Sequence, residues 1–123
     1  MNRTGFAATL SLALLLSGSP LFADMNKTAP AIKAHAGSKA EQHINEGIEH
    51  YDKGHWDVAK KHFQEAVKTD PTSAEAHYDL ALSLDKAGEH KTAIEHFKKA
   101  LELGKDNPEI QQSEILHAHL KKH

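Results

Sequence analysis

Cysteine is absent from this 123-residue sequence. The chain therefore has no disulfide, no thiolate metal site, no cysteine nucleophile and no cysteine for lipidation. A strong net charge is also missing, because the formal charge is only −2 with neutral histidines. No basic run with interleaved aromatic residues occurs, so we predict no nucleic-acid partner. The charged share of 26% fits an ordinary soluble globular chain.

Motifs for catalysis are missing as well. Neither Ser83 nor Ser113 has a base and an orienting group at a spacing that implies a triad. Asp79 and Asp85 are expected on capping or solvated helix faces, where a carboxylate has no special reactivity. No Gly-rich phosphate loop occurs in the sequence. We therefore predict that the chain is not an enzyme.

Residues 1–23 have the pattern of a secretory signal peptide. Arg3 gives a positive start, residues 6–16 are apolar and uncharged, and Ala23 offers a small residue for cleavage before Asp24. The alternative is an uncleaved membrane anchor, but the apolar run is shorter than the ~20 residues that a spanning helix needs. We predict a periplasmic or secreted protein that has no membrane contact after the signal is removed.

The following segment, residues 24–39, has the composition of a linker. It contains Pro30, Gly37, three lysines and several alanines, and it shows no sustained hydrophobic period. Segments of this kind near a terminus are usually poorly ordered. We therefore expect residues 24–39 to be flexible.

The strongest pattern lies between residues 40 and 107, where one 34-residue sequence occurs twice. Small and aromatic residues coincide under this shift: Ala40 with Ala74, Gly54 with Gly88, Ala59 with Ala93, His62 with His96, Phe63 with Phe97, and Ala66 with Ala100. Self-similarity at this period indicates pairs of antiparallel helices. These residue types set how closely two helices approach, so the repeat is mainly a packing pattern.

Caps and turn residues divide the repeats into helices. Ser38 with Glu41, and Thr72 with Glu75, have the spacing of capping boxes. Gly54 and its counterpart in the second repeat supply left-handed turns between helices. After the second repeat, an Asn-Pro pair at positions 107 and 108 opens a fifth helix that should run to the C-terminus.

Residues 40–107 resemble two tetratricopeptide repeats, and residues 108–123 resemble the helix that caps such an array. The residues that carry the resemblance are Gly47 and Ala81 at the helix crossing, Ala59 and Ala93 four residues before Phe63 and Phe97, and the terminal pair Asp70-Pro71. The aromatic site of the family pattern holds His43 and His77 instead. We predict an all-α fold, a short α-solenoid of antiparallel helix pairs with about five helices, divided into residues 40–73, 74–107 and 108–123.

The resemblance also implies a binding surface. In this family the first helix of each unit lines a concave face, which by offset would hold Ile44, Ile48, Tyr51, Asp52, Tyr78, Leu82, Asp85, Lys86 and Leu116. Ile48, Tyr78, Leu82 and Leu116 would then be apolar groups open to water, and such patches usually mark interaction sites. The alternative is that a domain of this size cannot cover all its apolar surface.

These expectations favour a protein-protein interaction module, an exported adaptor that binds a protein or peptide through its concave face. The aromatic and aliphatic residues would supply most of the binding energy, and the charged ones would set specificity. About three repeats are usually needed for a stable array. With two and a half, we expect self-association or a partner to supply the missing stability.

Histidine is unusually frequent, with 11 residues in the chain. Imidazole binds Zn, Cu and Ni, and His119 and His123 have the spacing that places two ligands on one helix face. Together with His117 they form the candidate metal set of an alternative function, a periplasmic histidine-rich metal-binding protein. The other interpretation is that the histidines are ordinary polar residues, with no required cofactor and only weak Zn, Cu or Ni binding. Because histidine titrates between pH 5 and 8, we also predict that binding or self-association depends on pH.

Overall fold

The computed structural model describes residues 28–122, and its residues fold into helices joined by short turns. No strand occurs within this range. The helices, in chain order, are α1 Glu41–Asp52, α2 Trp56–Thr69, α3 Ala74–Lys86, α4 His90–Leu103, α5 Pro108–Gln111 and α6 Glu114–Lys121. Within the same range, no helix combines the length and apolar character that crossing a membrane requires. The predicted signal peptide, residues 24–27 of the predicted linker, and His123 lie outside the described residues.

Two glycines fold the repeats into antiparallel pairs, α1 with α2 and α3 with α4. Gly54 has φ of +78° and Gly88 has φ of +84°, a left-handed conformation that glycine adopts without a steric penalty. The backbone bonds repeat as well: His55 N–H donates to the His50 carbonyl at 2.9 Å, and the same bond recurs 34 residues later at 2.8 Å. The predicted turns and the all-α solenoid fold are therefore confirmed.

The two helices of the first repeat cross at Gly47, where the ring of Phe63 rests directly on the backbone of α1. A Cβ atom at position 47 would lie 2.6 Å from Cδ1 of Phe63, closer than side chains pack. Phe63 and its counterpart Phe97 are both fully buried. The small residue that the repeat pattern places at this crossing is thus required by helix packing.

The start of each repeat differs in detail from the predicted capping boxes. Ser73, rather than Thr72, caps α3, because its Oγ accepts a hydrogen bond from the Ala76 N–H at 3.1 Å. Thr72 instead donates its hydroxyl to Asp70 in the preceding turn. In the first repeat, Ala40 occupies the cap position of α1 and makes no side-chain bond. Both helices start within two residues of the predicted caps.

The C-terminal region contains two helices where one was predicted. Asn107 caps α5 as expected, its Oδ1 accepting the Glu109 N–H at 3.0 Å. The helix then ends after one turn, and Ser113 starts α6 by accepting the Leu116 N–H with its Oγ at 3.3 Å. Ser113 is in an extended conformation, so the chain changes direction there. The break brings Ser113 within 2.6 Å of the Tyr78 hydroxyl.

Candidate functional site

The groove between the repeats holds a segment of the chain itself. Residues 28–39, here called the N-terminal arm, contain no helix and lie against α1 and α3. Ile32 is 5% exposed and packs in the main hydrophobic core with Tyr51 and Tyr78. We expected residues 24–39 to be flexible, but their described part, residues 28–39, is docked against the helices. We call the surface that it covers, formed around Tyr51, Tyr78 and Asp79, the groove.

The groove holds the arm by its backbone. Asp79 accepts the Ile32 backbone N–H at 2.7 Å, across 47 residues of sequence. Tyr51 donates its hydroxyl to the Ala29 carbonyl, also at 2.7 Å. Hydrogen bonds to backbone groups do not depend on the side chains of the bound segment. The groove therefore fits an extended chain in general and selects side chains mainly at the buried Ile32 position.

Asp79 is the unusual group in the groove because its carboxylate is fully buried. Burial raises the pKa of Asp79 well above its ordinary value, and the bond from the Ile32 N–H opposes this shift only in part. Its second oxygen, Oδ2, has no hydrogen-bond partner among the described residues. The prediction that Asp79 lies on a capping or solvated face is wrong, since the arm removes the carboxylate from water.

Most of the predicted concave-face residues are not open to water. Tyr78 is 3%, Leu82 1% and Leu116 0% exposed, so the prediction that they present free apolar surface is wrong. Ile48 is half-buried. The arm accounts for part of this burial, and the tyrosine also bonds Ser113 at the start of α6.

The remaining predicted residues fall in three different places. Ile44 and Tyr51 are buried, but Ile44 packs between helices with the small residues Ala40, Ala66 and Ala76. Asp52 and Lys86 are exposed near the turns, and the Lys86 ammonium lies 5.4 Å from the centre of the Trp56 ring. Asp85 is half-buried and faces two histidines. Of the nine residues, Tyr51, Tyr78, Leu82 and Leu116 share one buried cluster with Ile32 of the arm.

Beside the arm lies an open cavity of about 690 Å³. Its walls combine the arm with α3, α5 and α6: Thr28, Ala29, Pro30, Ile32, Tyr78, Glu109, Ser113, Glu114 and Ile115. The groove therefore continues past the arm towards the C-terminal helices. A segment longer than the arm would have room along this side.

Two histidine pairs occupy equivalent positions between the helices of each repeat. In the second repeat, Nδ1 of His77 lies 3.0 Å from Nδ1 of His96. The pKa values of both are lowered, mainly because burial disfavours the charged ring. In the first repeat, the equivalent pair, His43 and His62, flanks the carboxylate of Glu46, with Nδ1–Oε2 distances of 3.9 and 3.1 Å.

The two described members of the predicted metal set, His117 and His119, make separate contacts. His117 Nε2 bonds the Gln111 carbonyl at 2.7 Å, and His123 lies outside the described residues. His119 instead points to Asp85, with its Nε2 2.7 Å from Oδ1. His90 approaches the same oxygen at 2.7 Å. The structure therefore groups His119 with two residues of the second repeat, not with its sequence neighbours.

Sequence reasoning missed the docking of the arm and the contact between His119 and Asp85 for different reasons. Ile32 is a single large aliphatic residue in a small and polar segment, which gives no periodic signal. His119 and Asp85, in contrast, are 34 residues apart and thus occupy equivalent positions on successive units. The repeat offset could have identified that pair.

The comparisons with known proteins agree with this architecture. A family model described as tetratricopeptide repeat matches residues 44–108, which is 65 of the 123 residues. The match runs from the fourth residue of α1 to the start of α5 and so includes Tyr51, Tyr78 and Asp79 of the groove. No curated protein matches the chain.

Proposed function

This chain belongs to the tetratricopeptide repeat family, and we propose that it is an exported adaptor that binds an extended protein segment in the groove. A tetratricopeptide domain supports protein-protein interaction in general. The finer role, capture of a segment in place of the arm, rests on the way in which the arm is bound. Export rests on the signal pattern of residues 1–23.

The observation that carries this proposal is the pair of side chain–backbone bonds to the arm. Asp79 accepts the N–H of Ile32, and Tyr51 donates to the carbonyl of Ala29 three residues earlier. A partner segment can form both bonds with any residue except proline at the position that donates the N–H, because all other residues carry both backbone groups. The buried pocket of Ile32 adds selection for an aliphatic side chain. The expected ligand is therefore an extended segment with one aliphatic anchor.

The arm then acts as a competitor for this ligand. A partner reaches Tyr51, Tyr78 and Asp79 only in the fraction of molecules whose arm has left the groove. Its apparent dissociation constant is raised by the inverse of that fraction. A second copy of the chain offers the same arm sequence, so exchange of arms between two copies is the form of self-association that this groove supports.

A peptide with the arm sequence, residues 28–39, tests the proposal. The full chain with Ile32→Asp should release its own arm, because a charged side chain in the buried pocket is costly. We expect a fluorescently labelled peptide to bind this variant about tenfold more tightly than the wild type, whose arm competes. The matched control is the same peptide with aspartate at the Ile32 position, which should not bind.

Fluorescence anisotropy gives the affinities, and circular dichroism verifies that the variant keeps its helices. If the folded variant shows no saturable binding of the arm peptide, the groove is not a peptide site. Equal affinity of the wild type and the variant would show that the arm does not compete. Sedimentation of the wild type separates arm exchange, which gives dimers, from docking within one chain.

A further inference from the structure

Two histidines converge on one carboxylate oxygen of Asp85 at the turn of the second repeat, and the three residues come from separate helices. Asp85 comes from the last turn of α3, His90 from the first residue of α4, and His119 from α6. Both His90 Nδ1 and His119 Nε2 lie 2.7 Å from Asp85 Oδ1. All three ligand atoms lie within 4.8 Å of one another. The cluster is separate from the groove, and nothing in its chemistry depends on the groove function.

The hydrogen bonds of His119 determine where its proton lies. Its Nδ1 is 2.8 Å from the Ile115 carbonyl, which accepts hydrogen bonds and cannot donate them. Nδ1 therefore carries the proton, and a neutral imidazole then leaves a lone pair on Nε2. That lone pair faces a carboxylate oxygen at 2.7 Å. Two acceptors at this distance need a proton or a cation between them, which a proton on either group or a bound metal ion supplies.

We propose that Asp85, His90 and His119 form a binding site for a divalent first-row transition-metal ion. Imidazole nitrogen and carboxylate oxygen are ligands that Zn²⁺ and its neighbours accept, and three protein ligands leave a coordination position open. The bond from His119 Nδ1 to the Ile115 carbonyl is the outer contact that metal-bound histidines typically make. It fixes the ring so that Nε2 is free to coordinate.

The packing of His119 supports the same assignment. Its ring centre lies 5.2 Å from that of Phe97, which is fully buried. A half-buried imidazole held between an aromatic ring and a carbonyl has little freedom to rotate, so its Nε2 is aimed before any ion arrives. Pre-positioned ligands of this kind lower the entropic cost of binding.

The geometry needs only a small adjustment to hold an ion. Zn–N bonds of about 2.0–2.1 Å in a tetrahedral site place neighbouring ligand atoms about 3.3 Å apart, so each 2.7 Å contact has to widen by roughly half an ångström. His90 can supply the movement for its own contact because its side chain is 63% exposed, and the contact with His119 widens by rotation of the Asp85 carboxylate. An open cavity of about 890 Å³ leads to the three residues, so a hydrated ion can reach them.

The charges around the opening moderate the affinity. Lys91 and Lys122 line the cavity and oppose a cation. Glu89 also lines it, but its carboxylate pairs with Lys60 at 2.6 Å. We therefore expect a site that exchanges its ion with solvent. Because the three ligands come from α3, α4 and α6, a bound ion would also tie the C-terminal helix to the second repeat.

Zn²⁺ titration of the full chain by calorimetry tests the site. We expect a saturable equivalent of Zn²⁺ that is weakened at least about tenfold by His90→Ala and by Asp85→Asn. The matched control is His117→Ala, which should leave the affinity unchanged. This control also separates the site from the set His117, His119 and His123, in which His117 would be required and His90 would not.

A second readout is the protonation and metal binding of the histidine ring nitrogens. In NMR spectra of the histidine side chains, Zn²⁺ should leave His119 with its proton on Nδ1 and its Nε2 bound. The other candidate cluster consists of His43, Glu46 and His62. His62→Ala removes a ligand of that cluster, and this variant should still bind the equivalent of Zn²⁺ that requires His90. Circular dichroism verifies the fold of each variant. If Asp85→Asn is unstable, His90→Ala decides the question, because His90 is exposed. Unchanged Zn²⁺ binding by folded His90→Ala, or a doubly protonated His119 with no saturable binding, would overturn the proposal.

Discussion

The two repeats share a backbone but carry different chemistry at equivalent positions. At the turn of the first repeat, Tyr51 and Trp56 meet edge to face, with ring centres 5.1 Å apart. The same two positions in the second repeat hold Asp85 and His90, which form a hydrogen bond. The glycine turn between them is the same in both. The repeat thus fixes where side chains are placed and leaves open what they do.

The two repeats also differ at the middle of their first helices, α1 and α3. Asn45 is exposed in the first repeat, whereas its counterpart Asp79 is fully buried under the arm. The histidine pair of the first repeat has Glu46 beside it, and the corresponding residue of the second repeat is the buried Leu80. Differences of environment therefore arise both from what covers each repeat and from residue differences within the helix pair.

The largest expected effect comes from exchanging the crossing residues of the two repeats. Gly47→Ala gives the first repeat the residue that the second has at position 81, yet the new Cβ would collide with the Phe63 ring. Overpacking of this kind costs about 1–3 kcal/mol of unfolding free energy, which outweighs the gain of up to about 1 kcal/mol from better helix propensity. Urea unfolding followed by circular dichroism measures the difference.

The reciprocal change, Ala81→Gly, is the control for this exchange. It should destabilise by about 1 kcal/mol through the lower helix propensity of glycine, without any collision. A Gly47→Ala variant as stable as the wild type would show that Phe63 can move away. The two repeats would then be equivalent at their crossing after all.

A smaller effect should follow from giving Asp79 the residue of its counterpart. The pKa of Asp79 is raised in the folded chain by burial, so the folded state keeps this proton to a higher pH than the unfolded state does. Between the two pKa values the folded state binds more protons, and stability therefore falls as pH rises, by up to about 1.4 kcal/mol per pH unit. Asp79→Asn keeps an acceptor for the Ile32 N–H and should remove this slope.

Urea unfolding at a series of pH values from about 4 to about 8 covers the window in which such a carboxylate titrates. The variant is expected to be more stable than the wild type at neutral pH. Asn45→Asp, at the exposed equivalent position, is the matched control and should change little. If the unfolding free energy of Asp79→Asn depends on pH as that of the wild type does, burial does not raise the pKa of Asp79.

The fold was predictable from the sequence because its signals are local or self-similar. Gly54 and its counterpart each determine a turn by their own backbone freedom, and the helix boundaries of the second repeat follow those of the first by 34 residues, to within one residue. The break at Ser113 was missed because Gln111-Gln112 before it contains no glycine or proline. A serine inside an otherwise helical pattern starts a new helix only where tertiary contacts favour a change of chain direction.

The candidate sites were less predictable, since they depend on contacts between distant segments. Whether Asp79 is buried is decided by Ile32, 47 residues away, and nothing near either residue indicates the other. The histidine set was predicted from spacing within one helix, whereas His119 finds its partners on α3 and α4. Helical spacing gives the direction of a side chain but not the identity of what lies opposite.

The smallest expected effect separates the two histidine pairs. His77 Nε2 lies 2.8 Å from the Pro71 carbonyl and must donate to it, so His77 Nδ1 accepts a hydrogen bond from the N–H of His96 Nδ1 at 3.0 Å. The pKa values of both rings are lowered by burial. The unfolded state therefore binds more protons in this range, and stability is lost as pH falls below the ordinary histidine pKa of about 6.5. The loss should be less than about 1.4 kcal/mol per pH unit, because His96 is only half-buried.

Replacing His96 by glutamine should reduce this acid sensitivity, since the amide donates to His77 Nδ1 without titrating. Thermal unfolding between about pH 5 and about pH 7.5 spans the range in which histidine changes charge. The matched substitution in the first repeat is His62→Gln, beside Glu46. If that variant lost as much acid sensitivity as His96→Gln, the response would belong to histidines in general. A loss confined to His96→Gln would place it in the buried pair, where one neutral ring donates a hydrogen bond to the other.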